Sequence, residues 1–115
     1  MNEHERRATT EALFRDVNER IAESAERFDA ENTEFVCECA DPECTHRVSA
    51  SLAEYEEVRA APTTFLLVPG HEHGDIERVV ADRSRFRIVE KVQAAVRRTV
   101  VRLDRRRRPP RLSES

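Results

Sequence analysis

The sequence predicts a small α+β domain: an N-terminal amphipathic helix packed on a small antiparallel sheet of hairpins, then a C-terminal helix and a basic tail. Three observations predict it. Apolar residues recur at three- and four-residue steps over residues 10–29, short extended runs broken by turn residues fill the middle, and a helical period returns over residues 90–104. The 115 residues leave room for one domain, placed at 10–104, with a frayed polar lead-in at 1–9 and a disordered tail at 105–115. Hydrophobic residues make up 38% and charged residues 37%, with five Phe, one Tyr and no Trp, so the core is thin and calls for a staple or a partner.

The first helix is expected from Thr10, as N-cap, to Asp29. Leu13, Phe14, Val17, Ile21, Ala25 and Phe28 form the stripe that packs on the domain's own sheet. Thr33–Cys39 and Cys44–Ala50 read as two strands of a hairpin, turned at Ala40-Asp41-Pro42-Glu43. Ser51-Leu52-Ala53-Glu54 has the capping-box spacing and opens a short helix that ends near Ala60, before Pro62. Thr63–Val68 is a buried strand broken by Pro69-Gly70. Glu77–Ala81 and Arg85–Val89 read as a second hairpin, with a helix over Ile76–Ala81 as the alternative. Over 90–104, Val92, Val96, Val100 and Leu103 share one side of a helix.

Charge is unevenly spread. Residues 1–90 carry 11 basic and 21 acidic side chains, net −10; residues 91–115 carry 9 and 2, net +7. All the basic residues but Lys91 are arginine, a skew that reads as a high-GC coding bias. The basic end suits an acidic partner or the acidic body itself. No apolar run approaches the roughly 20 residues of a membrane span. No basic, then apolar, leader opens the chain, so a cytoplasmic protein is expected.

The chemistry-bearing residues are concentrated. Cys37, Cys39 and Cys44 are spaced C-x-C-x4-C, His46 follows, and His71 and His73 lie beyond the Pro-Gly break. Thiolates and imidazoles in such a set suit tetrahedral Zn²⁺. The i, i+2 spacing puts Cys37 and Cys39 on one face of a strand, or a knuckle-like turn makes them converge. An odd cysteine count argues against disulfides. Either His46 or His71 can supply the fourth donor. No H-E-x-x-H, P-loop or nucleophile triad is present.

The string Phe35-Val36-Cys37-Glu38-Cys39, Cys44, Glu54-Tyr55-Glu56-Glu57-Val58-Arg59, Pro62-Thr63, Phe65, Pro69-Gly70-His71-Glu72, Glu77-Arg78-Val79-Val80 and Ile88-Val89-Glu90-Lys91 resembles a set of small uncharacterised proteins of actinobacteria and similar high-GC bacteria. The likeness runs from about Phe14 to Lys91. That pattern holds the three cysteines and P-G-H-E without a counterpart of His46. The resemblance therefore implies Cys37, Cys39, Cys44 and His71 as metal ligands, with His46 the alternative; it implies no activity.

The expected function is a zinc-stapled binding or regulatory module, its metal structural and its partner an unknown protein, with no catalysis of its own. One alternative is a metal-dependent hydrolase, with Glu72 as base beside a zinc-bound water. A second is a nucleic-acid-associated protein using Arg105, Arg106, Arg107, Arg108 and Arg111. A third is a redox-sensing zinc module.

Overall fold

A computed structural model describes residues 1–28 and 30–107 of the chain. Asp29 and the tail residues 108–115 lie outside the described residues.

Helix α1 (Glu3–Arg27) starts seven residues before the expected site. Asn2 caps it: Glu5 N donates to Asn2 Oδ1 at 2.8 Å, and Asn2 N donates back to Glu5 Oε1 at 3.3 Å. Thr10 cannot cap, because its hydroxyl is spent inside the helix on Arg6 O at 3.1 Å. The expected lead-in is thus an ordered first part of the helix. Ala8 is fully buried there and Arg7 pairs with Asp75 at 3.1 Å.

The inward face of α1 also differs from expectation. It carries Ala8, Glu11, Ala12, Arg15, Asn18, Glu19, Ala22 and Ala25. The apolar stripe lies to one side: Leu13 is 61% and Phe28 75% exposed, and Val17 is exposed as well. Ile21 alone of the large residues packs on the edge of a core cluster. Small alanines let the helix approach closely, and the charged residues between them find partners inside.

Strands β1 (Thr33–Val36) and β2 (Arg47–Ala50) pair antiparallel, Thr33 opposite Ala50 and Val36 opposite Arg47. They are shorter than expected. The last backbone link is Cys37 N to His46 O at 3.1 Å, and residues 37–46 form a loop, not strand ends. Val36 is tied to α1 instead, through Asn18 Oδ1 and Nδ2, both at 2.8 Å. Helix α2 (Leu52–Val58) has the expected capping box, Ser51 with Glu54. Strands β3 (Thr64–Leu67), β4 (Glu77–Asp82) and β5 (Arg87–Lys91) form an antiparallel sheet in the order β3-β5-β4. The second segment pair is therefore a hairpin, with a bulge between Val79 and Ala81. Helix α3 (Ala94–Arg102) starts later than expected, because Glu90 and Lys91 are held in the ladder opposite Thr64 and Glu77. Gln93 caps it, and Val92, outside the helix, is exposed.

Two apolar clusters form the core. Strand β3 feeds both by its two-residue alternation: Phe65 and Leu67 join Ile76, Val89, Val96 and Val100, while Leu66 joins Phe35, Val48, Tyr55, Phe86 and Ile88. Beside them runs a buried ionic layer. Lys91 Nζ lies 2.5 Å from Glu11 and also pairs with Glu77, all three side chains fully buried. Arg15 donates to Pro62 O and Val100 O, both at 2.7 Å, over the Phe65 ring. Arg59 holds Asp104 at 2.5 Å. Arg105–Arg107 form a 3-10 turn in place of the disorder expected there, and Arg106 grips Glu19 and Glu56 at 2.6–2.9 Å. Among the described residues, no helix is long and apolar enough to cross a membrane.

Candidate metal centre

The loop over residues 37–46 is shaped by the residue between its first two cysteines. Glu38 is fully buried. Its N–H donates to Leu66 O at 2.8 Å, and its Oε1 accepts from Leu66 N at 3.0 Å, so one residue bridges to both backbone groups of β3. Asn18 Nδ2 donates to the other oxygen at 2.7 Å. With Glu38 latched, Cys37 and Cys39 on either side of it enter the same core cluster, 1% and 2% exposed. The reversal at Asp41 follows: Cys44 N donates to Asp41 O at 3.1 Å and Glu43 N to Asp41 Oδ1 at 2.9 Å. It returns Cys44, half-buried, to the other two sulfurs.

His71 arrives from the far side. After β3, Val68 N donates to Cys37 Sγ at 3.2 Å and His71 N closes a turn on Val68 O at 3.0 Å. Pro69 presets the first corner, and Gly70 takes the second at φ 94°, a conformation that costs glycine little. Glu72 fixes the loop: one oxygen accepts from Gly70 N at 2.9 Å and the other holds Arg87 at 2.5 Å.

These two pieces bring one donor atom each from Cys37, Cys39, Cys44 and His71 within 4.8 Å of one another. His71 Nδ1 is 3.6 Å from Cys37 Sγ and 3.7 Å from Cys44 Sγ. Such a set can bind a metal ion. Cys37 Sγ also accepts from Val68 N at 3.2 Å. Donors of this kind favour thiolate over thiol. The Cys39 thiol is accordingly pushed down to about 4, chiefly by hydrogen bonding from Cys37, then by Asp41 N–H, His71 and Cys44 against the cost of burial. Cys37 is pushed up by donating to Cys39 and by burial, and Cys44 is pushed up chiefly by burial.

The remaining candidate residues fall as follows. His46 is exposed, but its Nδ1 sits 3.8 Å from Cys44 Sγ and its ring meets that of His71 edge-on at 4.7 Å. It stands beside the four-donor group and outside it. His73 lines a depression of about 240 Å³ with Cys39, Asp41, Gly70, His71 and Glu72. Glu72 has both oxygens engaged there, and Glu38 has both engaged in the interior, so neither is poised as a base. Of the tail arginines, Arg105 is exposed and Arg106 is bound to the acidic body; Arg108, Arg111 and the side chain of Arg107 lie outside the described residues.

Sequence reasoning missed Asn18, and it read Glu38 only as an acid near the cysteines, not as the latch that builds the centre. The available signal was a glutamate enclosed by two cysteines of a buried motif. No family model, curated protein or solved structure matches this chain.

Proposed function

We propose that this chain is a zinc-binding module whose metal serves folding, and that its role is binding or regulatory, not catalytic. One observation carries the reading: four donors from segments 37–44 and 71 come within 4.8 Å of one another. Zn²⁺ with Zn–S near 2.3 Å and Zn–N near 2.0 Å requires S···N edges of about 3.5 Å. The 3.6 and 3.7 Å separations at His71 meet that requirement. Three thiolates against a divalent cation leave one negative charge, which the Val68 N–H on Cys37 partly offsets.

Four protein donors fill a tetrahedral shell and leave no position for a reactive water, as structural zinc sites do. The engaged Glu72 supports the same conclusion. The metal cross-links β3 and the loop after it to the loop joining β1 and β2, so ion binding is coupled to folding. Three free cysteines, retained as thiolates, fit a reducing compartment such as the cytoplasm.

The test is metal removal. Protein purified under reductant is expected to hold one zinc per chain by elemental analysis. Chelation is expected to abolish its cooperative thermal transition, and added Zn²⁺ to restore it. Cys39→Ala and His71→Ala are expected to lose the metal. Zinc-free protein with an unchanged transition would falsify the reading.

A further inference from the structure

We infer that His46 is a relief ligand of this centre: it takes over the coordination position of Cys44 and frees that thiolate to react with a soft electrophile while the metal stays bound. The inference rests on the zinc reading above.

Three observations carry it. First, His46 Nδ1 lies 3.8 Å from Cys44 Sγ, only slightly further than the 3.6 and 3.7 Å from His71 Nδ1 to Cys37 and Cys44. It stands next to the ligand it replaces and outside the resting four-donor group, so the exchange requires the ring to swing inward. Second, the His46 ring is held against the donor set, edge-on to His71 at 4.7 Å, yet it is exposed and makes no other side-chain hydrogen bond among the described residues. It stands beside the donor set without being consumed elsewhere. Third, the sulfurs are unequal. Cys37 and Cys39 are 1% and 2% exposed, Cys39 at the floor of the depression beside His73, whereas Cys44 is half-buried on the outer turn. An incoming reagent meets Cys44 before the two more deeply buried sulfurs.

The exchange balances simply. The Zn–S bond to Cys44 breaks, a Zn–N bond to His46 forms, and Cys44 leaves as a thiolate with its electron pair. The ligand set becomes Cys37, Cys39, His46 and His71, a Cys2His2 combination that holds zinc in many structural sites. The centre goes from one net negative charge to neutral. A released thiolate is the nucleophilic form of cysteine. With iodoacetamide as the probe, it forms one S–C bond and expels iodide.

The experiment uses zinc-loaded full-length protein and limiting iodoacetamide, with peptide mapping by mass spectrometry and zinc measured after gel filtration. In the wild type, Cys44 is expected to be alkylated before Cys37 and Cys39, with zinc remaining near one per chain. His46→Ala is expected to hold one zinc at the start, since the four resting donors are intact, and to lose it mole for mole as Cys44 is alkylated. Cys44→Ala is expected to keep its zinc, and the double variant with His46→Ala to lose it. Loss of zinc from the wild type in step with Cys44 alkylation overturns the inference. So does first reaction at Cys37 or Cys39, or a zinc-free His46→Ala. A wild type isolated without zinc defeats the zinc reading, and this inference with it, before any alkylation begins.

Discussion

Lys91 lies between two carboxylates, Glu11 and Glu77, with no solvent contact for any of the three. It is the only lysine in the chain, set over the Phe65 ring at 4.9 Å. Lys91→Met leaves two buried carboxylates without their cation. It is expected to cost about 3–5 kcal/mol, read from urea unfolding. One cation between two acids also favours an extra proton. Burial, opposed by Lys91, pushes Glu11 up to about 7. Between its unfolded value near 4.5 and 7, the folded protein holds a proton that the unfolded chain has lost. Stability from this group is therefore full below about pH 4.5 and falls as pH rises to 7, by about 3 kcal/mol. Glu11→Gln is expected to remove that slope from the pH dependence of the unfolding midpoint; an unchanged slope contradicts the assignment. None of this was legible in the sequence, where Lys91 stands out only by its rarity and Glu11 reads as a favourable first-turn acid.

Elements were easier to read than their faces. The capping box at Ser51, both hairpins, the Pro69-Gly70 break and a C-terminal helix all follow from local chemistry, and the structure contains them. Removing the Ser51 hydroxyl with Ser51→Ala is expected to lower stability by about 1 kcal/mol. Helix α1 shows where periodicity fails. Its stripe of large apolar residues suggests the packed face, but contact is decided by fit: four alanines permit close approach, and Arg15 and Asn18 reach backbone carbonyls that need donors. Leu13→Gln is therefore expected to change stability by less than about 0.5 kcal/mol. Asn18→Ala, which strands Val36 and a buried Glu38 oxygen, is expected to cost about 1–3 kcal/mol. Equal effects in urea titrations of the two variants would contradict this reading of the helix. The hairpin of β1 and β2 has a related lesson. Its cysteines lie past the end of pairing because Val36 and Glu38 are claimed by Asn18 and Leu66, tertiary partners that no local pattern reveals.

On the scale of the whole molecule, the uneven charge read from the sequence finds a structural counterpart. The acidic body receives the start of the basic end through Arg106, which joins α1 to α2 by way of Glu19 and Glu56. This contact is half-exposed and screened, so Arg106→Ala is expected to cost no more than about 1 kcal/mol at low salt and less at high salt. The four-donor group brings a segment near residue 40 together with one near residue 70, from the loops of two sheets. Its residues were legible because cysteine and histidine are scarce here and closely spaced. The preference for His71 over His46 came from the resemblance alone, and the turn after β3 is what brings His71 into the group.

X-ray absorption at the zinc edge of the reduced, purified protein tests the central claim most directly. The account predicts a shell of three sulfurs at about 2.3 Å and one nitrogen at about 2.0 Å. A zinc-free sample, or a shell made up of oxygen and nitrogen, would contradict it.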